Sequence, residues 1–320
     1  MRIRYFDIAK GIGMVLVVLS HTCPMGIGIQ GFCESFHMPM FFFISGYFFS
    51  LDKYSLKDFF KRRFLQLVLP LVSFSILVGT LNSFSQTCFK ISNYILPDTL
   101  WFLWVLFVVE LLFMYLMRAY GGIISYCIIA LTVYVSSKLV DFHFDDPLYL
   151  QASGNALLFY SLGNLFAIKG LPTLIPSRRD KSLFYRYVAI WGGYFLIFIM
   201  SFVGLITTEI SNNMMSSTIP ALIVAIIGIL LTISLSDIID AYTTKIGNLV
   251  KGILDWIGKH TIVIMALHLA CWRMCVHLQL SSHFVLSFVL SQIIMWGICA
   301  SCAFIFDKKY FRFFVGKINV

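Results

Sequence analysis

Long uninterrupted apolar runs constrain this chain more than any other feature. Segments such as Trp101–Met117 and Thr218–Ser236 continue for about twenty residues with one charge or none, the length a helix needs to cross a bilayer. They do not alternate apolar and polar, so they read as helices rather than barrel strands. The hydrophobic share is 59% and the mean hydropathy +0.88, more apolar surface than a soluble core of this size requires. The expected fold class is therefore all-α, a polytopic membrane protein of about ten transmembrane helices. The spans fall at about 6–24, 36–51, 64–84, 99–117, 120–137, 149–168, 187–206, 218–236, 260–279 and 283–306.

Charge gives these spans a direction. With N- and C-termini cytosolic, ten spans place every one of the 24 Lys and Arg residues on the cytosolic side except Lys90, Lys138 and Arg273. Cytosolic loops of membrane proteins carry such an excess. This partition explains the net charge of +9 without invoking nucleic acid as a partner. The first segment carries Asp7 and Lys10 and lacks a small-residue cleavage site, so it is expected to be a retained span. The eight cysteines lie mostly inside apolar runs and read as packing thiols, with Cys23 and Cys33 close enough in sequence to pair across the first loop. No internal repeat is visible, and residues 1–320 are expected to form a single integral-membrane domain. The segment 237–259 has helical apolar spacing (Ile246, Leu249, Val250, Ile253, Leu254, Ile257), which predicts an amphipathic helix on the inner membrane surface.

Polar residues inside such spans are costly and mark function or partnership. In the first span Asp7, Lys10, Met14, Val17 and His21 step by three or four and form one stripe. From Lys10 to His21 the chain turns about 1100° and rises about 16 Å, so both side chains leave one helix face. His21, toward the outer end, has the chemistry to take a proton from a hydroxyl. The bland alternative is an interfacial histidine bonded to a neighbouring helix. His37, just before Met38-Pro39, has the same two readings. Asp7 and Lys10 are either an interfacial ion pair or a cationic foothold for a phosphate-bearing cofactor. Glu110 in the fourth span and Arg273 in the ninth are each out of place in lipid and are candidates to pair or to line a cavity. Arg62 and Arg63 at the cytosolic foot of the third span serve topology or an anionic ligand. His268, Cys271 and Cys275 share helical spacing, yet no further ligand accompanies them and no metal is expected. A Gly-rich phosphate loop, a G-x-S-x-G elbow and a zinc signature are all missing.

Two blocks carry a resemblance: D-I-A-K-G-I-G-M-V-L-V-V-L-S-H (7–21) and F-H-M-P-M-F-F-F-I-S-G-Y-F (36–48). Together they resemble the family 3 membrane acyltransferases, in particular the fucose 4-O-acetylase-like glycan O-acetyltransferases. Weaker matches are F-F-K-R-R-F-L-Q-L-V-L-P (59–70), W-F-L (101–103), F-Y-S-L-G-N-L (159–165) and I-G-K-H-T-I-V-I-M-A-L-H (257–268). The resemblance implies a multi-pass enzyme of the bacterial cytoplasmic (inner) membrane. It would move an acyl group, usually from acetyl-CoA in the cytosol, to a hydroxyl of a surface glycan or its lipid-linked precursor. His21 and His37 correspond to the family's histidines and Lys10 to its basic residue. Arg62 and Arg63 correspond to its cytosolic donor-binding cations. Two departures stand out. Lys10 replaces the more usual arginine, and Gln66 stands where a second arginine completes the family's Arg-x-x-x-Arg pattern. A transporter or flippase of a glycan or lipid intermediate is the other reading of buried charges in such a bundle.

Overall fold

The computed structural model describes residues 3–23, 27–86, 99–139, 149–170, 183–204, 208–209, 214–215, 218–278 and 283–317. These are helical except for a two-residue antiparallel ladder pairing Thr208 with Met215 and Glu209 with Met214. Contacts divide the chain into two compact units, one of residues 1–53 and 108–259, the other of residues 54–107 and 260–320.

The first unit is built on α1 (Arg4–Thr22), α2 (Ile27–Glu34) and α3 (His37–Tyr47). Around them lie the second half of α6 (Trp101–Tyr120), α7 (Gly122–Leu139), α8 (Leu150–Lys169), α9 (Leu183–Phe202), α10 (Thr218–Ala241) and α11 (Lys245–Lys259). Asp7 near the start of α1 complements the helix dipole. α1 packs on α10 and α11, α3 on α8, and α2 on α9. Two of these contacts need glycine. A Cβ on Gly163 of α8 would meet the backbone of Phe43 and Tyr47, and one on Gly258 of α11 would meet the backbone of Asp7 and Gly11. Small residues let helix backbones touch where apolar surface alone gives no driving force in lipid.

The second unit holds α4 (Leu56–Arg63), α5 (Leu69–Gln86), the first turns of α6, α12 (Thr261–His277) and α13 (Phe284–Phe306). Ser55 caps α4, its hydroxyl oxygen accepting from the Asp58 N–H at 3.1 Å. A π-helical turn, Phe64–Val68, joins α4 to α5. Pro70 supplies the cause, because it lacks the N–H that would bond the Gln66 carbonyl and its ring crowds that carbonyl. A 3-10 turn, Arg312–Val315, folds the C-terminal segment back, and Gly316 rests against the backbone of Gln66 with φ +68. The fold-back is tied down at Asp307, which takes Lys317 Nζ at 2.6 Å on one carboxylate oxygen and lies 2.6 Å from His260 Nε2 on the other.

Among the described residues five helices are long and apolar enough to cross a membrane: Leu56–Asn82, Trp101–Tyr120, Tyr185–Phe202, Pro220–Ala241 and Val285–Phe306. A sixth arises if α11 and α12 count as one broken span. They correspond to expected spans three, four, seven, eight and ten. α9 shows the lipid-facing character plainly, exposing Trp191, Phe195, Leu196 and Phe202. α1 and α8 fall short in composition because they are enclosed by protein. α8 buries Asn155, Ser161 and Asn164, and α1 buries Asp7. A helix screened from lipid does not need an all-apolar surface.

Three expectations need correction. The span expected at 36–51 is not one continuous helix: α3 has eleven residues, about 16 Å against a hydrocarbon core of about 30 Å, and α2 precedes it inside the expected loop, so a crossing here is shared between the two helices. The third span begins at Leu56 rather than 64, so Arg62 and Arg63 lie within a continuous helical rod and not beneath it. The amphipathic segment is helical, but its apolar residues divide. Ile246, Leu249, Val250 and Ile253 are exposed, whereas Ile257 is buried together with Asp255 and Gly258. Cys23 and Cys33 are free thiols. Of the basic residues used to orient the chain, Arg2, Lys90, Arg178, Arg179 and Lys181 lie outside the described residues.

Candidate active site

The two histidines of the sequence motifs both belong to the first unit. His21 is exposed in the last turn of α1. His37 opens α3 and is 4% exposed. α1 packs on both α2 and α3. α3 starts at His37 because Pro39 fits a helix's first turn, where its missing N–H costs nothing.

The His37 ring is fixed by its own segment. Its Nδ1 lies 2.5 Å from the carbonyl oxygen of Cys33. A carbonyl can only accept, so Nδ1 carries the proton and donates. In the neutral ring this leaves the lone pair on Nε2, the state a general base or a hydroxyl acceptor requires. The same bond satisfies a carbonyl at the C-terminal end of α2, which the helix itself leaves open. His37 therefore joins α2 to α3 through Nδ1.

At the other end of α1, Lys10 Nζ lies 2.7 Å from Asp7 Oδ1. The carboxylate side chain is 5% exposed and the ammonium 29%. The acid sits inward and the cation outward, so the pair remains reachable by an anion. The sequence spacing anticipates this pair; it does not reveal what faces it. Across the contact stand Asp255 and Lys259 of α11, joined at 2.5 Å. Lys259 falls within the I-G-K-H block at 257–268, whereas no motif marks Asp255. Gly258 of the same block lacks a side chain, which lets α11 reach the Lys10–Gly11 peptide.

The remaining candidates are distributed over both units. Glu110, in the first, is 2% exposed within α6. Arg62, Arg63, His268 and Arg273 belong to the second. The Arg62 guanidinium stacks over Tyr54 at 4.9 Å, and that of Arg63 over Phe59 at 5.2 Å. Arg63 also donates to Gln66 Oε1 at 3.1 Å, so the residue standing in place of a second arginine is engaged by the first. His268 is 1% exposed, and its Nδ1 lies 3.0 Å and 2.9 Å from the Ile264 and Met265 carbonyl oxygens. It is held by its own helix. Arg273 is exposed. Among the described residues no group of three or more His, Cys, Asp or Glu side chains has metal-binding geometry.

α1 offers an imidazole in its last turn and a cation about three helical turns away, and α3 opens on a second imidazole. The family model described as an acyltransferase domain matches residues 3–301. Nodulation protein NolL of Mesorhizobium japonicum (strain LMG 29417 / CECT 9101 / MAFF 303099) is 32% identical over 123 residues, covering 32% of this chain and 33% of that protein. The matched part is thus about a third of that relative's length. No solved structure matches the chain.

Proposed function

We propose, from the premise that this chain belongs to the family 3 acyltransferases, how its residues divide the work of acyl transfer. The chain is an acyltransferase and a multi-pass helical membrane protein. The finer reading is an O-acetyltransferase using cytosolic acetyl-CoA. Its acceptor is a hydroxyl of a surface glycan or of a lipid-linked precursor. The chain acts as one domain in a bacterial cytoplasmic membrane, with ten spans and both termini cytosolic. The charge partition supports the orientation, and the family match running through both contact units supports the single domain.

In this reading His21 is the general base on the acceptor hydroxyl. His37, whose Nδ1–H is committed to Cys33, presents Nε2 to orient or polarise that hydroxyl. Lys10, with Arg62 and Arg63, attracts the phosphates of the donor at the cytosolic mouth. The rise of about 16 Å from Lys10 to His21 is commensurate with an extended pantetheine arm. The observation that carries the proposal is that α1 bears Lys10 near one end and His21 in its last turn, in the unit that also holds His37. Glu110, His268 and Arg273 rank as cavity-lining candidates. Transport of a glycan or lipid intermediate is not favoured, because the match is to an acyltransferase domain.

The test is label transfer from acetyl-CoA to a surface-glycan extract by purified protein. Loss of a positioned base is expected to cost His21→Ala about 10²–10⁴-fold in rate. A rate unchanged by the substitution removes His21 from the role.

A further inference from the structure

We propose that Lys259 is a further cation of the donor site. At the crossing of α1 and α11 it joins Lys10 in holding the phosphates of a nucleotide-bearing donor, and Asp255 sets its position. This rests on the acyl-CoA reading given above.

The chain is short of one cation at the place its motifs lead one to look. Gln66 occupies that position and is bonded to Arg63. The backbone brings a different cation to Lys10. A Cβ on Gly258 would lie 3.1 Å from Gly11 N and 2.7 Å from Asp7 C, and one on Gly11 would lie 2.8 Å from Leu254 C. The peptide between Lys10 and Gly11 therefore rests against Gly258, and Lys10 and Lys259 each sit one residue from that contact.

Charge is layered at the crossing. The Asp7 and Asp255 side chains are 5% and 12% exposed, those of Lys10 and Lys259 29% and 36%. An approaching anion meets the ammonium groups first. Each ammonium has three donors, and the ion pair with its own carboxylate uses one. The carboxylates fix the lysines in place and the outer N–H groups remain for phosphate oxygens.

Asp255 adds an independent observation. Its Oδ2 accepts from Lys259, but its Oδ1 is buried and has no hydrogen-bond partner. A buried carboxylate oxygen left unsatisfied is costly. A nucleobase amino group or a ribose hydroxyl is a donor of the kind it lacks. Two cations beside one orphaned acceptor match a nucleotide better than they match a simple phosphate, which brings no donor.

The experiment measures binding of CoA and of pantetheine, which lacks the nucleotide, to full-length protein in detergent. Wild type is expected to prefer CoA. Lys259→Ala is expected to weaken CoA binding about tenfold or more, as loss of a charge-assisted contact does. It should leave pantetheine binding and the KM for the acceptor unchanged, and Lys259→Arg should restore most of the affinity. Should Lys259→Ala not fold, Lys259→Gln keeps a bond to Asp255 without the charge and carries the same expectation. Retention of the full CoA preference by a wild-type-like variant overturns the proposal, as does equal weakening of both ligands. Wild type that binds no CoA overturns the donor reading itself, and this inference with it.

Discussion

Gly163→Ala tests whether the α3–α8 contact holds the histidine end of α3 in place. A Cβ at this position would lie 2.8 Å from Phe43 C and 2.9 Å from Tyr47 N, and nearer still to the Phe43 carbonyl oxygen. Real Cβ atoms essentially never approach within 3.0 Å, and nine in ten stay beyond 3.4 Å. The neighbours are backbone and cannot rotate aside, so the helices must separate by on the order of 1 Å. Overpacking of this kind costs about 1–3 kcal/mol. α3 carries His37 at its first residue, and a misplacement of about 1 Å is enough to cost a catalytic group around 10²-fold in rate. The assay is thermal unfolding in detergent together with acetyl transfer at saturating donor. The expected result is a lower melting temperature and a rate down by one to two orders of magnitude, about 10–10²-fold. A variant that melts and turns over like wild type refutes the argument that this crossing positions His37.

Two further outcomes follow from the description above. Partial burial would push the Asp307 carboxyl up, but hydrogen bonds from Lys317 and His260 hold it below its ordinary value of 3.8. A depressed carboxyl stabilises the fold fully above the ordinary value and loses that contribution as pH falls through the folded one. Unfolding curves of wild type and Asp307→Asn should therefore differ near neutral pH and converge in acid, whereas a gap that persists in acid contradicts the linkage. A reporter fused after Val320 should be read in the cytosol, and an external signal there defeats the ten-span orientation.

The parts legible in the sequence are those set by local rules. Asp7 and Lys10 stand three apart on one helix and pair as that spacing predicts. His21 and His37 stood out as polar residues in apolar segments, and both occupy the first unit. The start of α3 matches the expected start of the second span, but α2 was not anticipated, because residues 25–35 fall in the loop between two expected spans. Polar Glu34 and Ser35 mark the step from α2 to α3, and the His37 bond to the Cys33 carbonyl spans it. The π turn at Phe64–Val68 had a sequence signal, Pro70, whose effect lies one helical turn upstream of the residue itself. α11 was expected as an amphipathic helix, yet pattern alone cannot tell which face meets lipid and which meets α1. Gly258 decides that through a backbone contact more than two hundred residues distant in sequence. Glu110 and Arg273, both conspicuous as charges in lipid-length runs, fall in different units.

The bond from His37 Nδ1 to the Cys33 carbonyl gives this imidazole a single port. A ring open at both nitrogens can pass a proton through itself, taking one on one side and releasing another on the far side. This ring cannot, because one nitrogen is spent on the backbone. Any proton reaching His37 arrives at Nε2 and departs from Nε2. The ring can thus lend a proton back to the group it came from, or to a leaving thiolate on the same side, but it cannot conduct charge from one face of the membrane to the other. Such a centre can assist transfer between two substrates without opening a proton leak beneath them.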